Sequence, residues 1–378
     1  MARRLSFVLS LSVALVLASS SAAFACGGLI GPRGSVNLIR TATLAAYHQG
    51  VEHYVTSFTF TGTGGGKFGS MVPLPGVPTK VERGGSWTLQ RLEREVAPPV
   101  PAEAGVAFAS AGGVHKAEVL QEVAIDALDI TILKGGGAEV GAWAEENGFD
   151  LPPDAPEVLD FYANRSPIFM AARFNASRAK ASGAQSGDGT PIHLTIPTPS
   201  PWVPLRILRL GKNPAEFIQA DVFLLTDRAP AVLPAPQGLG GKHIPEIAGM
   251  ELQRSEAADG TLLRDLHFDK GMSWVPLDRM WFSYLAINTP AAQLSDDLAI
   301  DASGGGQPSW VAAGLAKPVS LAVNPVERPI QQIVKQFPVV RVATRSRSAG
   351  PITAAAVAAL VAGLLIGSQL RRRAPIAS

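Results

Sequence analysis

Apolar and polar residues alternate over Val55–Phe60, the period of a half-buried strand. The runs Ser35–Ala46 and Val51–Phe60 flank "HQG" and predict two neighbouring strands. Residues 86–96, "SWTLQRLEREV", carry helical spacing and stop before "APPVPAEAG". The Val-, Ile- and Leu-rich run 118–133 predicts a strand at its end, before "KGGG"; its first half fits helix and strand equally. Val140, Trp143 and Ala144 recur at helical spacing and end at Asn147-Gly148, which supply a left-handed C-cap. Asp154, Pro156 and Glu157 open a second helix in the arrangement of a capping box, with Val158, Leu159 and Tyr162 as its apolar stripe. "SPIFMAARFN" returns as a strand, giving strand–helix–helix–strand. Further strands are predicted in "PIHLTIPTP", "WVPLRILRLG", "AEFIQADVFLLTD", "LLRDLHFD" and "RMWFSYLAINT", with an internal boundary at the Pro/Gly stretch 229–241. The pattern is that of an α+β fold, mixed, with mainly antiparallel sheets.

The ends carry a different pattern. Arg3 and Arg4 precede an apolar run, Leu5 to Ala18, and Ala23-Phe24-Ala25 forms a small-x-small site, so residues 1–25 read as a cleaved signal peptide. Twin-arginine export is the other route, although phenylalanine sits one position later than that signal places it. Residues 351–370 carry no charge and precede Arg371, Arg372 and Arg373. As a helix they would span roughly 30 Å, a bilayer core. The expected arrangement is a body over 26–340 outside the membrane, a juxtamembrane linker over 341–350, a single-pass helix, and a cytoplasmic tail over 371–378. Ala355, Ala359, Gly363 and Gly367 share one ridge of that helix and are the candidates for self-association within the membrane.

Charge changes the picture once the ends are set aside. Eight of the 33 lysines and arginines lie before residue 26 or from 341 onward, where there is no acidic residue. The body therefore holds 25 basic against 31 acidic residues, a net of −6, which argues against a nucleic-acid partner. Cys26 is the only cysteine, so no internal disulfide can form. It is also a lipidation candidate, as the first residue of the mature chain, although Ala23 and Phe24 depart from a lipobox.

Six carboxylates crowd residues 143–162: Glu145, Glu146, Asp150, Asp154, Glu157 and Asp160. Capping and solvation of two short helices account for them without an acid/base site. On a strand, Asp265, His267 and Asp269 would share one face, and that trio is the candidate ligand set for a divalent zinc or manganese ion. The chain has no GxSxG, HExxH or CxxC, and neither catalytic residues nor a cofactor are predicted. Two functions remain. One is a non-enzymatic module of the bacterial cell envelope that binds an envelope protein or polymer or assembles with itself. The other is a metal-dependent hydrolase or transferase acting on envelope material.

"ACGG" after the signal, "FGSMVPLPGVP", "NGFDLPPDAPEVLDFYANRSPIFMAARF" and "PIHLTIPTPSPWVPLRI", in that order, make most of residues 25–230 resemble the exported bacterial family known as domain of unknown function 2330. Some members have a second cysteine where this chain has Leu29 and Ile30. The resemblance implies an envelope location and a single mixed domain, with no catalytic residues to carry over.

Overall fold

The computed structural model describes residues 28–30, 36–40, 42–57, 59–62, 69–97, 117–175, 178 and 190–318. The signal segment, Cys26, the linker 341–350, Ala355, Ala359, Gly363, Gly367 and the tail lie outside them. No helix among the described residues is long and apolar enough to cross a membrane.

The chain begins with strands β1 (Gly28–Ile30), β2 (Val36–Arg40), β3 (Ala42–His48), β4 (Val51–Thr56), β5 (Thr59–Gly62), β6 (Gly69–Pro73) and β7 (Lys80–Arg83), then helix α1 (Thr88–Val96). Strands β8 (Glu118–Ile125) and β9 (Leu128–Lys134) lead into helices α2 (Gly137–Glu146) and α3 (Ala155–Ala163). Next come β10 (Ile168–Phe174), β11 (Ile192–Pro197), β12 (Trp202–Val203), β13 (Phe217–Thr226), β14 (Ala231–Leu233), β15 (Ala235–Pro236), β16 (Glu246–Ile247) and β17 (Met250–Ala257). Helix α4 (Gly260–His267), β18 (Trp281–Pro290), β19 (Leu298–Asp301) and helix α5 (Trp310–Ala313) complete it.

A seven-stranded sheet, ordered β17-β18-β13-β3-β4-β11-β7, is antiparallel except where β3 meets β13. A five-stranded antiparallel sheet, β1-β6-β10-β9-β8, faces it. Along β13 the side chains alternate between two cores. Val222 and Leu224 enter the larger one, with Met71, Ile130 and Phe169 of the second sheet and Val158 of α3. Phe223 and Leu225 enter the smaller one, under Leu89 and Leu92 of α1 and Leu263 and Leu266 of α4. Burial on both faces explains the near-continuous apolar run of this strand. The mixed, mainly antiparallel fold is thus as the pattern predicts, and the described residues from 28 to 318 fall in one compact unit.

Local chemistry sets the turns. Gln49 (φ 50°) and Gly50 (φ 83°) are both left-handed, the geometry of a tight two-residue hairpin between β3 and β4. The ambiguous run 118–133 is a hairpin too, β8 and β9, turning at Asp126 and Ala127. Helices α2 and α3 sit between the paired strands β9 and β10, as the strand–helix–helix–strand reading requires. Gly148, with φ 82°, takes the left-handed position that ends α2, and Asn147 is its C-cap. The capping box at α3 is not formed. Asp154 is the N-cap residue, but its carboxylate accepts from Gly211 N at 3.0 Å, and Glu157 pairs with Arg206. At α2 it is Glu139 that folds back, accepting from Gly136 N at 2.9 Å.

Two predicted strands are corrected. "WVPLRILRLG" is a strand only at Trp202–Val203; Pro204 cannot donate to a ladder, and a 3-10 turn follows at Arg206–Arg209. "LLRDLHFD" is helix α4, with Asp259 capping through Thr261 N at 2.7 Å and Leu262, Leu263 and Leu266 buried. Phe268 made the run look alternating, yet it is 68% exposed.

One buried ionic network ties these layers together. Asp297 is wholly buried, and its Oδ1 accepts from Tyr162 Oη (2.8 Å), Leu205 N (2.8 Å) and Arg206 N (2.9 Å). Its Oδ2 pairs with Arg165, whose guanidinium also donates to Ala312 O and lies over the rings of Phe161, Tyr162 and Trp202. Burial pushes the Asp297 carboxyl above its usual range, against the pull of Arg165 and the hydrogen bonds.

Candidate functional site

Among the described residues, an apolar cleft lies at the β17 edge of the seven-stranded sheet. Leu224 of β13, Ser283 and Leu285 of β18, and Leu252 and Ser255 of β17 form its floor. Ladder pairs Leu224–Ser283, Ser255–Ser283 and Leu252–Leu285 put these side chains in adjoining rows. The far wall is the Pro/Gly stretch, with Pro230, β14 and β15, together with Leu239 and Ile244; Pro308 and Trp310 close the end. The cleft holds about 350 Å³, within the usual range of small-ligand sites.

Its lining is unusual for a surface. Leu239 is 61% exposed, Trp310 43%, Ile244 42% and Leu252 38%, so four large apolar side chains surround one opening. The two hydroxyls of the floor are already joined: Ser255 Oγ lies 3.2 Å from Ser283 Oγ and accepts from Trp281 Nε1 at 2.9 Å. The wall's main-chain N–H groups are tied to a carboxylate and to β17. Glu246 accepts from Gly238 N (3.0 Å) and Gly240 N (2.6 Å), and Gln237 N donates to Met250 O at 2.7 Å. A side chain at position 240 would push aside the Glu246 carboxylate that holds this turn. The stretch that composition marked as a boundary is therefore a wall.

A smaller recess of about 200 Å³ is lined by Asp129 and Arg173, which are paired with each other. It offers no comparable apolar lining.

The predicted metal trio is not assembled. Because residues 260–267 are helical, the three side chains leave the common face that a strand would give them. Asp265 pairs with Arg91 at 2.8 Å, and His267 Nδ1 lies 2.7 Å from Val275 O. Asp269 is buried and accepts from Ser86 N, Trp87 N and Thr88 N at 2.7–2.9 Å, which caps the start of α1 from across the chain. Among the described residues no group of three His, Cys, Asp or Glu side chains could hold a metal ion. Of the six carboxylates in residues 143–162, Glu145, Glu146, Asp150, Glu157 and Asp160 are exposed.

Three buried titratable residues lie elsewhere in the fold. His53 of β4 and His193 of β11 meet Nδ1 to Nε2 at 3.0 Å, with His53 stacked on Trp274 and His193 Nδ1 3.4 Å from Glu82. Burial lowers His53 to about 3, helped by the neighbouring His193 and His48. It lowers His193 to about 4, against the pull of Glu82. Glu52, on the other face of β4, is wholly buried, and neither oxygen completes a hydrogen bond. Burial holds its carboxyl well above the usual range, with the main chain of Trp202 pulling the other way. None of these groups lines the cleft.

Against known proteins, residues 20–235 match a family described as an uncharacterized protein conserved in bacteria, domain of unknown function 2330. No curated protein and no solved structure matches the chain. The family match ends within the cleft wall, between the residues of β15.

Proposed function

The chain belongs to this bacterial family, and we propose that it is a non-enzymatic binding module of the cell envelope. In this reading residues 1–25 are removed on export, residues 351–370 anchor the chain, and the body stands outside the membrane with the tail in the cytoplasm. The observation that carries it is the cleft, where exposed apolar side chains converge on a floor whose hydroxyls are already satisfied. Such a surface suits recognition by shape and burial rather than bond-making. The separation of Asp265, His267 and Asp269 removes the arrangement on which the metal-dependent alternative rests.

Export and anchoring are tested by adding protease to intact spheroplasts of the source cells. The expected result is a membrane-sedimenting chain whose body is digested from outside. A chain that stays intact until the membrane is lysed, or that fails to sediment with membranes, contradicts the reading.

A further inference from the structure

We propose that the cleft and the free edge of β17 together form a docking site for an extended segment of another polypeptide, one that alternates apolar with basic residues. The proposal deepens the binding-module reading and rests on it.

Strand β17 is the outermost strand of its sheet. At its start Met250 O is taken by Gln237 N, but over residues 251–257 its outward main-chain groups pair with no other strand among the described residues. All of these residues except Arg254 are exposed. An edge of this kind accepts one more strand, whose main chain supplies affinity and whose alternate side chains supply specificity. An acyl chain could fill the cleft but would leave the donors and acceptors of the edge unused.

The irregularity in β17 decides what faces the cleft. The ladder shifts between Leu252 and Arg254, so Leu252 opposes Leu285 and Ser255 opposes Ser283, both on the cleft side. Arg254 is turned to the other face, where it lies 5.4 Å from the Phe282 ring and bonds Glu95 and Glu256. Without the bulge, residues 252, 254 and 256 would share a face, and two charges would point into the apolar cleft. The edge thus offers an apolar row on one face. On the other, Arg254 and Arg91 are outnumbered by the carboxylates of Glu95, Glu256 and Asp265.

An added strand shows its side chains to these two faces in turn. Alternate positions meet Leu252, Leu239, Ile244 and Trp310; the positions between them meet carboxylates. Apolar residues alternating with lysine or arginine fit both rows. A second copy of β17 fits poorly: antiparallel pairing about Gln253 and Arg254 would set Glu251 against Glu256 at both ends, and like charges directly opposite destabilise a ladder. Charges and a bulge also protect edges from unwanted pairing, but that role gives no reason for four exposed apolar side chains beside this one.

The test uses the full chain in mild detergent and three fluorescent heptapeptides followed by anisotropy. One alternates valine and lysine, one has the same composition with its valines grouped, and one is the alternating peptide with N-methyl groups along a single edge. The alternating peptide is expected to bind at least about ten-fold more tightly than either of the others, and Leu252→Asp is expected to remove that advantage. Equal affinity for the N-methylated peptide, or no binding of the alternating one, overturns the proposal. So does a dimer of the chain that Leu252→Asp dissolves, because the edge would then belong to a second copy. The spheroplast result is independent of all three outcomes.

Discussion

An Asp297→Ala variant is expected to lose about 3–5 kcal/mol of stability, the cost of leaving a buried charge without its partner. The Arg165 side chain is 5% exposed, so its guanidinium cannot turn to water when the carboxylate goes. The substitution also strips an acceptor from Tyr162 Oη and from the main-chain N–H groups of Leu205 and Arg206, all buried or part-buried. These groups belong to α3, the 3-10 turn and the approach to β19, so their loss is felt across layers rather than in one loop. Heat denaturation of the full chain in detergent checks it, with exposed Asp278→Ala expected to stay within about 0.5 kcal/mol of the parent. The double variant Arg165→Met/Asp297→Leu should recover much of the loss, because the pair's desolvation disappears together with its attraction. If Asp297→Ala unfolds no earlier than Asp278→Ala, the network is not what joins these elements.

Acid should unfold the protein through two histidines. In the unfolded chain His53 and His193 take up protons near 6.5, whereas the folded state resists until about 3 and about 4. The unfolded state therefore binds more protons as the pH falls. The stability in question is full above 6.5 and is lost progressively below it. At pH 5 each histidine should cost about 2 kcal/mol. Glu52 works in the opposite sense: its carboxyl is held high by burial, so ionisation of the unfolded chain above 4.5 disfavours folding, and acid relieves this in the same window. The histidine effect is therefore read on a Glu52→Gln background, by urea unfolding between pH 7 and 5. A clear decline that His193→Asn roughly halves is expected. No decline on that background would mean that the pair is open to protons in the folded state.

Residues close in sequence announced themselves; those joined only by the sheet did not. The two helices over 137–163 were legible because their apolar spacing, Gly148 and Asp154 all lie within a single stretch. The capping box was misread because Gly211, a partner of Asp154, lies 57 residues further on. His53 and His193 are 140 positions apart and meet only through the register of β4 and β11. In α4, Leu266 and Phe268 imitate a strand, while the helix rests on burial of Leu262, Leu263 and Leu266, which no short pattern reveals. The cleft was hidden for a different reason. Its wall is rich in proline and glycine, which composition reads as a linker, and its floor comes from three strands whose pairing no local window contains.

The most direct test of the binding role places a photo-activatable cross-linking residue at Leu239, 61% exposed on the cleft wall, in living source cells. A matching probe at Phe217, 55% exposed at the start of β13 and outside the cleft, serves as reference. The account predicts one discrete adduct from position 239 that is absent from position 217 and is lost when Leu252→Asp is added. No adduct at 239, or the same adducts from both positions, would contradict it.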